Sequence, residues 1–136
     1  MYELTIDANS RNLPQVQSFI ESHLEEAGCP MKTMIHISMA VEEIFINVSS
    51  YAYAPGQGDV TVCIEFANSS KDVVITFKDH GIPYNPLAKD DPDVSLPTKD
   101  RKIGGLGIFL TKRVMDGMTY EYKDGQNILA MRKTMI

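Results

Sequence analysis

The stretch Ala40-Val41-Glu42-Glu43-Ile44-Phe45-Ile46-Asn47-Val48-Ser49-Ser50-Tyr51-Ala52-Tyr53 decides the fold. Its apolar residues recur at helical spacing. Ile37, Val41, Ile44, Val48 and Ala52 form one stripe, the pattern of a helix laid on a core. Glu43 and Asn47 are four apart, so at about 3.6 residues per turn they lie above one another, on a line roughly 100° from the stripe. A carboxylate and a carboxamide thus flank a buried helix. Glu42 stands five residues before Asn47 and leaves that line. Read alone, a Glu-x-x-x-Asn pair is an ordinary helix edge, and the rest of the chain has to decide its meaning.

On the N-terminal side, Tyr2 to Asp7 alternates apolar and polar residues as a half-buried strand does. Asn9 and Ser10 offer an N-cap, and Leu13, Val16, Ile20, Leu24 and Ala27 follow at helical spacing until Gly28 and Pro30 stop them. His23 on this helix is read as a structural or solvated histidine rather than a phosphoacceptor. The second helix runs from Met31 to about Tyr53, where Pro55-Gly56-Gln57-Gly58 breaks it.

Beyond that break, Val60, Val62, Ile64 and Phe66 alternate with polar residues, Asn68-Ser69-Ser70-Lys71 turns the chain, and Val73, Ile75 and Phe77 continue a hairpin. The second strand delivers Asp79 into the turn Asp79-His80-Gly81-Ile82-Pro83. Residues 84–103, rich in proline and aspartate, are too long and aperiodic for a simple connection and read as a lid. Lys99, Arg101 and Lys102 then precede Gly104-Gly105-Leu106-Gly107, which opens a helix carrying Leu106, Leu110 and Val114. Glycines at a helix start allow close backbone approach to an anion, and the first helical N–H groups are free to bind it. Strands from Met118 to Lys123 and from Ile128 to Lys133 close the chain, with Asp124-Gly125-Gln126-Asn127 between them.

This order, strand, helix, helix, strand, strand, lid, helix, strand, strand, predicts an α+β sandwich of two layers: a mixed, mainly antiparallel sheet covered on one face by three helices. The 136 residues, 43% of them hydrophobic, fit a single domain over 1–136. A net charge of -5 disfavours a nucleic-acid surface. No apolar run reaches the roughly 20 residues that span a bilayer, and no signal-peptide core opens the chain, so a cytoplasmic location is expected. Cys29 and Cys63 make neither a metal cluster nor a CxxC pair and read as buried free thiols.

Three polar signals follow one another along the chain: Glu43/Asn47, Asp79/Gly81 and Gly105/Gly107. A nucleoside triphosphate with magnesium needs an oxygen ligand for a hard cation, an acceptor for the adenine amino group and backbone donors for phosphates. Asn47, Asp79 and the Gly104 to Gly107 helix start supply these, and Glu43 remains as a base.

With these motifs the sequence resembles the GHKL superfamily of ATP-binding domains, shared by gyrases, a chaperone class, histidine kinases and mismatch-repair proteins. The resemblance spans nearly the whole chain. The runs from Ala40 to Asn47 and from Gly105 to Leu110 are most similar to the bacterial anti-sigma-factor serine/threonine kinases. The resemblance implies that Glu43 is the general base, Asn47 the magnesium ligand, Asp79 the adenine contact with Gly81 as its glycine, and Gly105 and Gly107 the phosphate-binding box, with residues 84–103 as ATP lid. It further implies ATP and Mg2+ as ligands, an anti-sigma factor antagonist as protein substrate, a sigma factor as second partner, and a homodimer. The chain departs from the family pattern at three places. Tyr51 replaces a usual His or Lys, Ile103 replaces an arginine whose part would fall to Arg101 or Lys102, and the last hairpin lacks Gly-Thr-Thr, so that either Asn127 stands in for its hydroxyl at the nucleotide or the contact is absent. These departures keep open an alternative, a nucleotide-gated partner-binding module without phosphotransfer.

Overall fold

The computed structural model describes residues 1–88 and 106–135. Strand β1 (Tyr2–Asp7) leads through a short 3₁₀ turn at Ser10–Asn12 into α1 (Leu13–Glu26) and α2 (Met31–Tyr51). The hairpin β2 (Asp59–Ala67) and β3 (Asp72–Asp79) follows, then a 3₁₀ turn at Pro86–Ala88, α3 (Leu106–Val114), and the hairpin β4 (Gly117–Lys123) and β5 (Gln126–Thr134).

The Asn9 side chain accepts from the Arg11 N–H and so caps the 3₁₀ turn that leads into α1; Asn12, at the N-cap of α1 itself, makes no side-chain cap, and Pro14 in the first turn forfeits only a donor that has no helical partner. Val16, Ile20 and Leu24 are fully buried at four-residue intervals, each worth roughly 2 kcal/mol of burial. The helix ends in a Schellman motif. Gly28, at φ +75°, gives its N–H to Glu25 O at 3.0 Å, and Cys29 N–H reaches Leu24 O at 3.0 Å. Chain reversal at this glycine lays α2 antiparallel beside α1.

The 21 residues of α2 extend about 31 Å. Ile37, Val41 and Ile44 are buried as their spacing requires, and Met34, Ala40 and Phe45 widen the stripe. The helix stops at Tyr51, two residues short of the sequence expectation. Tyr53 is drawn out of it instead: its hydroxyl donates to Asp59 O at 2.6 Å and accepts from the His80 N–H at 2.8 Å. Burial pushes this phenol's pKa above its ordinary value.

The sheet order is β1-β2-β3-β5-β4, and every neighbouring pair is antiparallel, so the expected mixture of strand directions is absent among the described residues. Val60, Val62 and Ile64 of β2, Val73, Ile75 and Phe77 of β3, and Leu129 and Met131 of β5 face the helices and are buried with them in one core. The opposite face carries the row Thr5, Thr61, Lys78, Ile128 and Glu121 across the sheet, as an uncovered, largely polar face should.

Cys63 is buried, but Cys29 is only half-buried at the end of α1, where its sulfur faces Pro30 O at 3.6 Å. Burial raises the pKa of both thiols. His23 stacks on Tyr2 with ring centroids 4.0 Å apart and meets the edge of Phe19 at 5.0 Å, a packing role in keeping with the sequence reading.

Candidate functional site

Helix α2 and strand β3 converge where Gly81 meets the end of the helix. A Cβ at position 81 would collide with the Ala52 carbonyl, and the next residue, Ile82, donates its N–H to Ala52 O at 2.8 Å. Only glycine permits this approach. It fixes the end of β3 against the end of α2, and the polar residues of both elements then line one cleft.

Asp79 is 4% exposed at the floor of that cleft. Its Oδ1 accepts from the Gly81 N–H at 2.9 Å and from Asn127 Nδ2 at 2.9 Å. Oδ2 has no hydrogen-bond partner among the described residues, so one carboxylate oxygen is held while the other remains available. Asn127 lies directly opposite Asp79 in the β3/β5 register. It is not a loop residue. The turn is the two-residue Asp124-Gly125, both at positive φ, and Asn127 is the second residue of β5. The expectation that it belongs to the connection is therefore corrected by two residues of register.

That position makes Asn127 a junction. Nδ2 also donates to Ile82 O at 2.9 Å, while Oδ1 accepts from the Tyr84 N–H at 3.1 Å and from the Tyr120 hydroxyl. Burial pushes the Tyr120 phenol's pKa up, with Asp79's charge acting in the same direction, which keeps it a neutral donor. All of the amide's polar capacity is spent on positioning Asp79, the turn after it and the first residue of the lid.

The cleft itself is apolar on its walls, formed among others by Ile44, Val48, Phe77, Ile82 and Leu129, and polar at Asn47, Asp79 and Asn127. Tyr51 and Tyr84 stand at its edge with ring centroids 5.6 Å apart. Apolar walls above a carboxylate acceptor are the chemistry that a purine ring with an exocyclic amine requires.

Asn47 connects this cleft to Glu43. Its Nδ2 donates to Glu43 O at 2.8 Å and to Glu43 Oε1 at 3.0 Å. The amide oxygen Oδ1 has no hydrogen-bond partner among the described residues. On the far side of Glu43 lies α3. A Cβ at Gly107 would fall on the Glu43 carboxylate, and both residues line a second depression with Glu42, Leu110 and Thr111. Glu42 is exposed, and the side-chain hydrogen bonds of Asn47 among the described residues go to Glu43.

Of the residues singled out by sequence, the structure thus brings together Glu43, Asn47 and Gly107, and separately Asp79, Gly81 and Asn127, with Asn47 shared between the two. Leu106 begins α3. Arg101, Lys102, Gly104 and Gly105, and residues 89–103 of the lid, lie outside the described residues. Sequence reasoning missed Tyr84 and Tyr120. Placing the turn at Asp124-Gly125 would have found the latter, since it sets Tyr120 opposite Leu129 and diagonal to Asn127.

A five-stranded antiparallel sheet under three helices, with an acid at the end of a central strand and a Glu-x-x-x-Asn helix beside it, defines a GHKL-type ATP-binding domain. The chain belongs to the histidine kinase-like ATPase domain family, which matches residues 6–133. It is therefore a nucleotide-binding domain of that family.

Among curated relatives, it is 24% identical over 95 residues to the serine/threonine-protein kinase BtrW of Bordetella bronchiseptica, covering 70% of this chain and 66% of that one. It is 28% identical over 135 residues to the serine-protein kinase RsbW of Halalkalibacterium halodurans, covering 96% and 81%. The chain thus spans slightly less than two thirds of the first relative. Solved structures share the fold. The RsbU and RsbW domains of a Mycobacterium tuberculosis protein superpose with a TM-score of 0.67 at 16% identity, over 99% of this chain and 33% of that one. The SiaB–SiaC complex of Pseudomonas aeruginosa gives 0.60 at 15% identity, over 96% and 88%.

Proposed function

We propose that the chain is a protein serine/threonine kinase of the anti-sigma type, which binds Mg-ATP and phosphorylates a small antagonist protein. The observation that carries this reading is the place of Asn47, which lines the cleft floored by Asp79 and is hydrogen-bonded to Glu43 on its other side. Adenine recognition and a carboxylate base are thereby joined through one side chain. The names of the curated relatives support the kinase assignment.

Asp79 Oδ2 accepts the adenine amino hydrogen while the apolar walls exclude water from the ring. Asn47 holds Glu43 by Oε1, so the carboxylate is oriented before substrate arrives. Glu43 takes the proton of the incoming serine or threonine hydroxyl as its oxygen bonds to the γ-phosphorus. The bond to the bridging oxygen breaks, and ADP leaves with that electron pair.

Among the described residues no three His, Cys, Asp or Glu side chains gather as a metal cluster. Asn47 Oδ1, without a partner there, is a hard oxygen donor and fits magnesium in company with phosphate oxygens. When bound, the ion would neutralise phosphate charge. The same reading takes in Gly104, Gly105 and Gly107 with Arg101 or Lys102 as phosphate contacts, a sigma factor as second partner, a homodimer and a cytoplasmic location. Among the described residues no helix is long and apolar enough to cross a membrane.

Labelled ATP with candidate antagonist proteins tests the proposal: the wild type transfers label to a serine or threonine and Glu43→Gln does not. Retained transfer in Glu43→Gln would remove the assigned base. A second reading, a nucleotide-gated binding module, is favoured by Asn127, whose polar groups are consumed internally and present none to a nucleotide. Stoichiometric ATP binding with no transfer to any candidate would establish it.

A further inference from the structure

Helix α2 carries a second line of apolar residues that the core does not use. Met31, Ile35 and Met39 recur every four residues and are 69%, 53% and 50% exposed. Together with the flank of α1 they form a groove whose lining includes Gln17, Ser38 and the acids Glu21, Glu25 and Glu42. Every charged group in that lining is negative. The groove does not stop there: Met39 and Glu42 also line the depression that holds Glu43, Gly107 and Leu110, and Leu110 is itself 46% exposed.

We propose that this groove docks the protein substrate through an amphipathic helix with an apolar face and basic flanks. The inference rests on the phosphotransfer reading, since it names the recognition element of that substrate. Apolar residues at helical spacing on α2 complement an apolar helix face, and two methionines give the surface unbranched, adaptable side chains. The acidic rim selects the charge of the occupant. A second copy of this chain, bringing the same three glutamates to a two-fold contact, would be repelled. Because the groove runs through Met39 into the depression beside Glu43, a helix seated in it carries the adjoining segment of its own chain to the base.

The test uses the full chain and synthetic peptides that share one leucine stripe at helical spacing and carry lysine, glutamine or glutamate elsewhere. Binding is followed by NMR of the methionine methyl groups, with fluorescent-ATP binding measured on the same samples. The lysine peptide is expected to bind at least about tenfold more tightly than the glutamate peptide at low salt. It should shift the Met31 and Met39 signals, bind about tenfold more weakly to Ile35→Ser, and lose its advantage in Glu21→Lys/Glu25→Lys. These variants are at exposed or rim positions and should bind ATP as the wild type does.

Equal affinity for the three peptides would overturn the proposal, as would methyl shifts confined to other methionines. Dissociation of a pre-existing dimer by Ile35→Ser would assign the face to a second copy instead. The two readings fail separately. Groove binding without any phosphotransfer sinks the kinase reading and leaves the groove as a partner site; transfer to a protein substrate with an unchanged KM in Ile35→Ser sinks the docking role and leaves the kinase.

Discussion

Gly107 on α3 is packed against Glu43 on α2 so closely that a Cβ at position 107 would lie 2.3 Å from the carboxylate, inside any allowed contact. The contact ties the start of α3 to the proposed base. In a helix, Gly→Ala raises intrinsic stability by about 1 kcal/mol, so the substitution is not destabilising on conformational grounds. The Glu43 side chain must move instead. Gly107→Ala is therefore expected to leave Tm within a few degrees of wild type while phosphotransfer falls by about 100-fold, the loss associated with misplacing a catalytic group by an ångström. Wild-type transfer rates in Gly107→Ala, measured beside its melting curve, would show that Glu43 need not stay where it is.

The two adjacent glutamates separate on geometry. Glu43 accepts from Asn47 at 3.0 Å, whereas Glu42 is exposed on the groove side. Glu43→Gln should lower kcat by a factor of about 10² to 10⁴, the range for removal of a general base. Glu42→Gln should preserve kcat and alter only the KM for the protein substrate, because its carboxylate borders the docking groove. Steady-state kinetics of the two variants on one substrate decide this, and equal falls in kcat would refute the division.

Asn127 carries a prediction of a different kind. Its removal leaves Asp79 Oδ1 with one partner in place of two and deletes the hydrogen bonds that Asn127 makes to the Tyr84 N–H and to Ile82 O. Loss of a buried amide with several partners costs about 2–3 kcal/mol. Asn127→Ala should accordingly lower Tm by roughly 8 °C for a domain of this size. Asp79→Asn, which keeps the shape but removes the charged acceptor, should weaken ATP binding by at least about tenfold. Calorimetric titration and thermal melts separate the outcomes, and a stable Asn127→Ala protein with wild-type ATP affinity would mean that the amide positions nothing.

Much of this site is legible in the sequence because its main support is periodic. The stripe Ile37, Val41, Ile44 turns up buried since only one face of α2 can meet the sheet, and that fact alone puts Glu43 and Asn47 on a common flank. Asp79 is recognisable because a buried strand ends on a carboxylate. Asn127 reads as a turn residue because Asp124-Gly125-Gln126-Asn127 is polar throughout, and only the pairing of Lys123 with Gln126 across the strands shortens the turn to Asp124-Gly125. Contacts such as Gly107 on Glu43 and Gly81 on Ala52 join elements far apart in the chain, and no local spacing reveals them. Tyr84 and Tyr120 carry no local signal for the same reason, since both meet the site through Asn127.

Acid stability provides the last prediction. Asp116 Oδ2 accepts the Thr134 N–H at 2.6 Å, closing the segment between α3 and β4 onto the end of β5. This hydrogen bond holds the Asp116 carboxyl below its ordinary value, with smaller help from Lys133 and Arg132. A folded-state pKa depressed below the unfolded one contributes stability above the unfolded value, about 3.9, and loses it as pH falls toward the folded value. Asp116→Ala should therefore melt at a lower temperature than wild type near neutral pH, and the gap should close as the pH is taken below about 4. Because Asp116 is exposed, the gap should be small and reduced little by salt, the backbone hydrogen bond being its main cause. Melting curves of both proteins across the acid range test it, and a gap that widens at low pH would show that the carboxylate is not stabilised by folding.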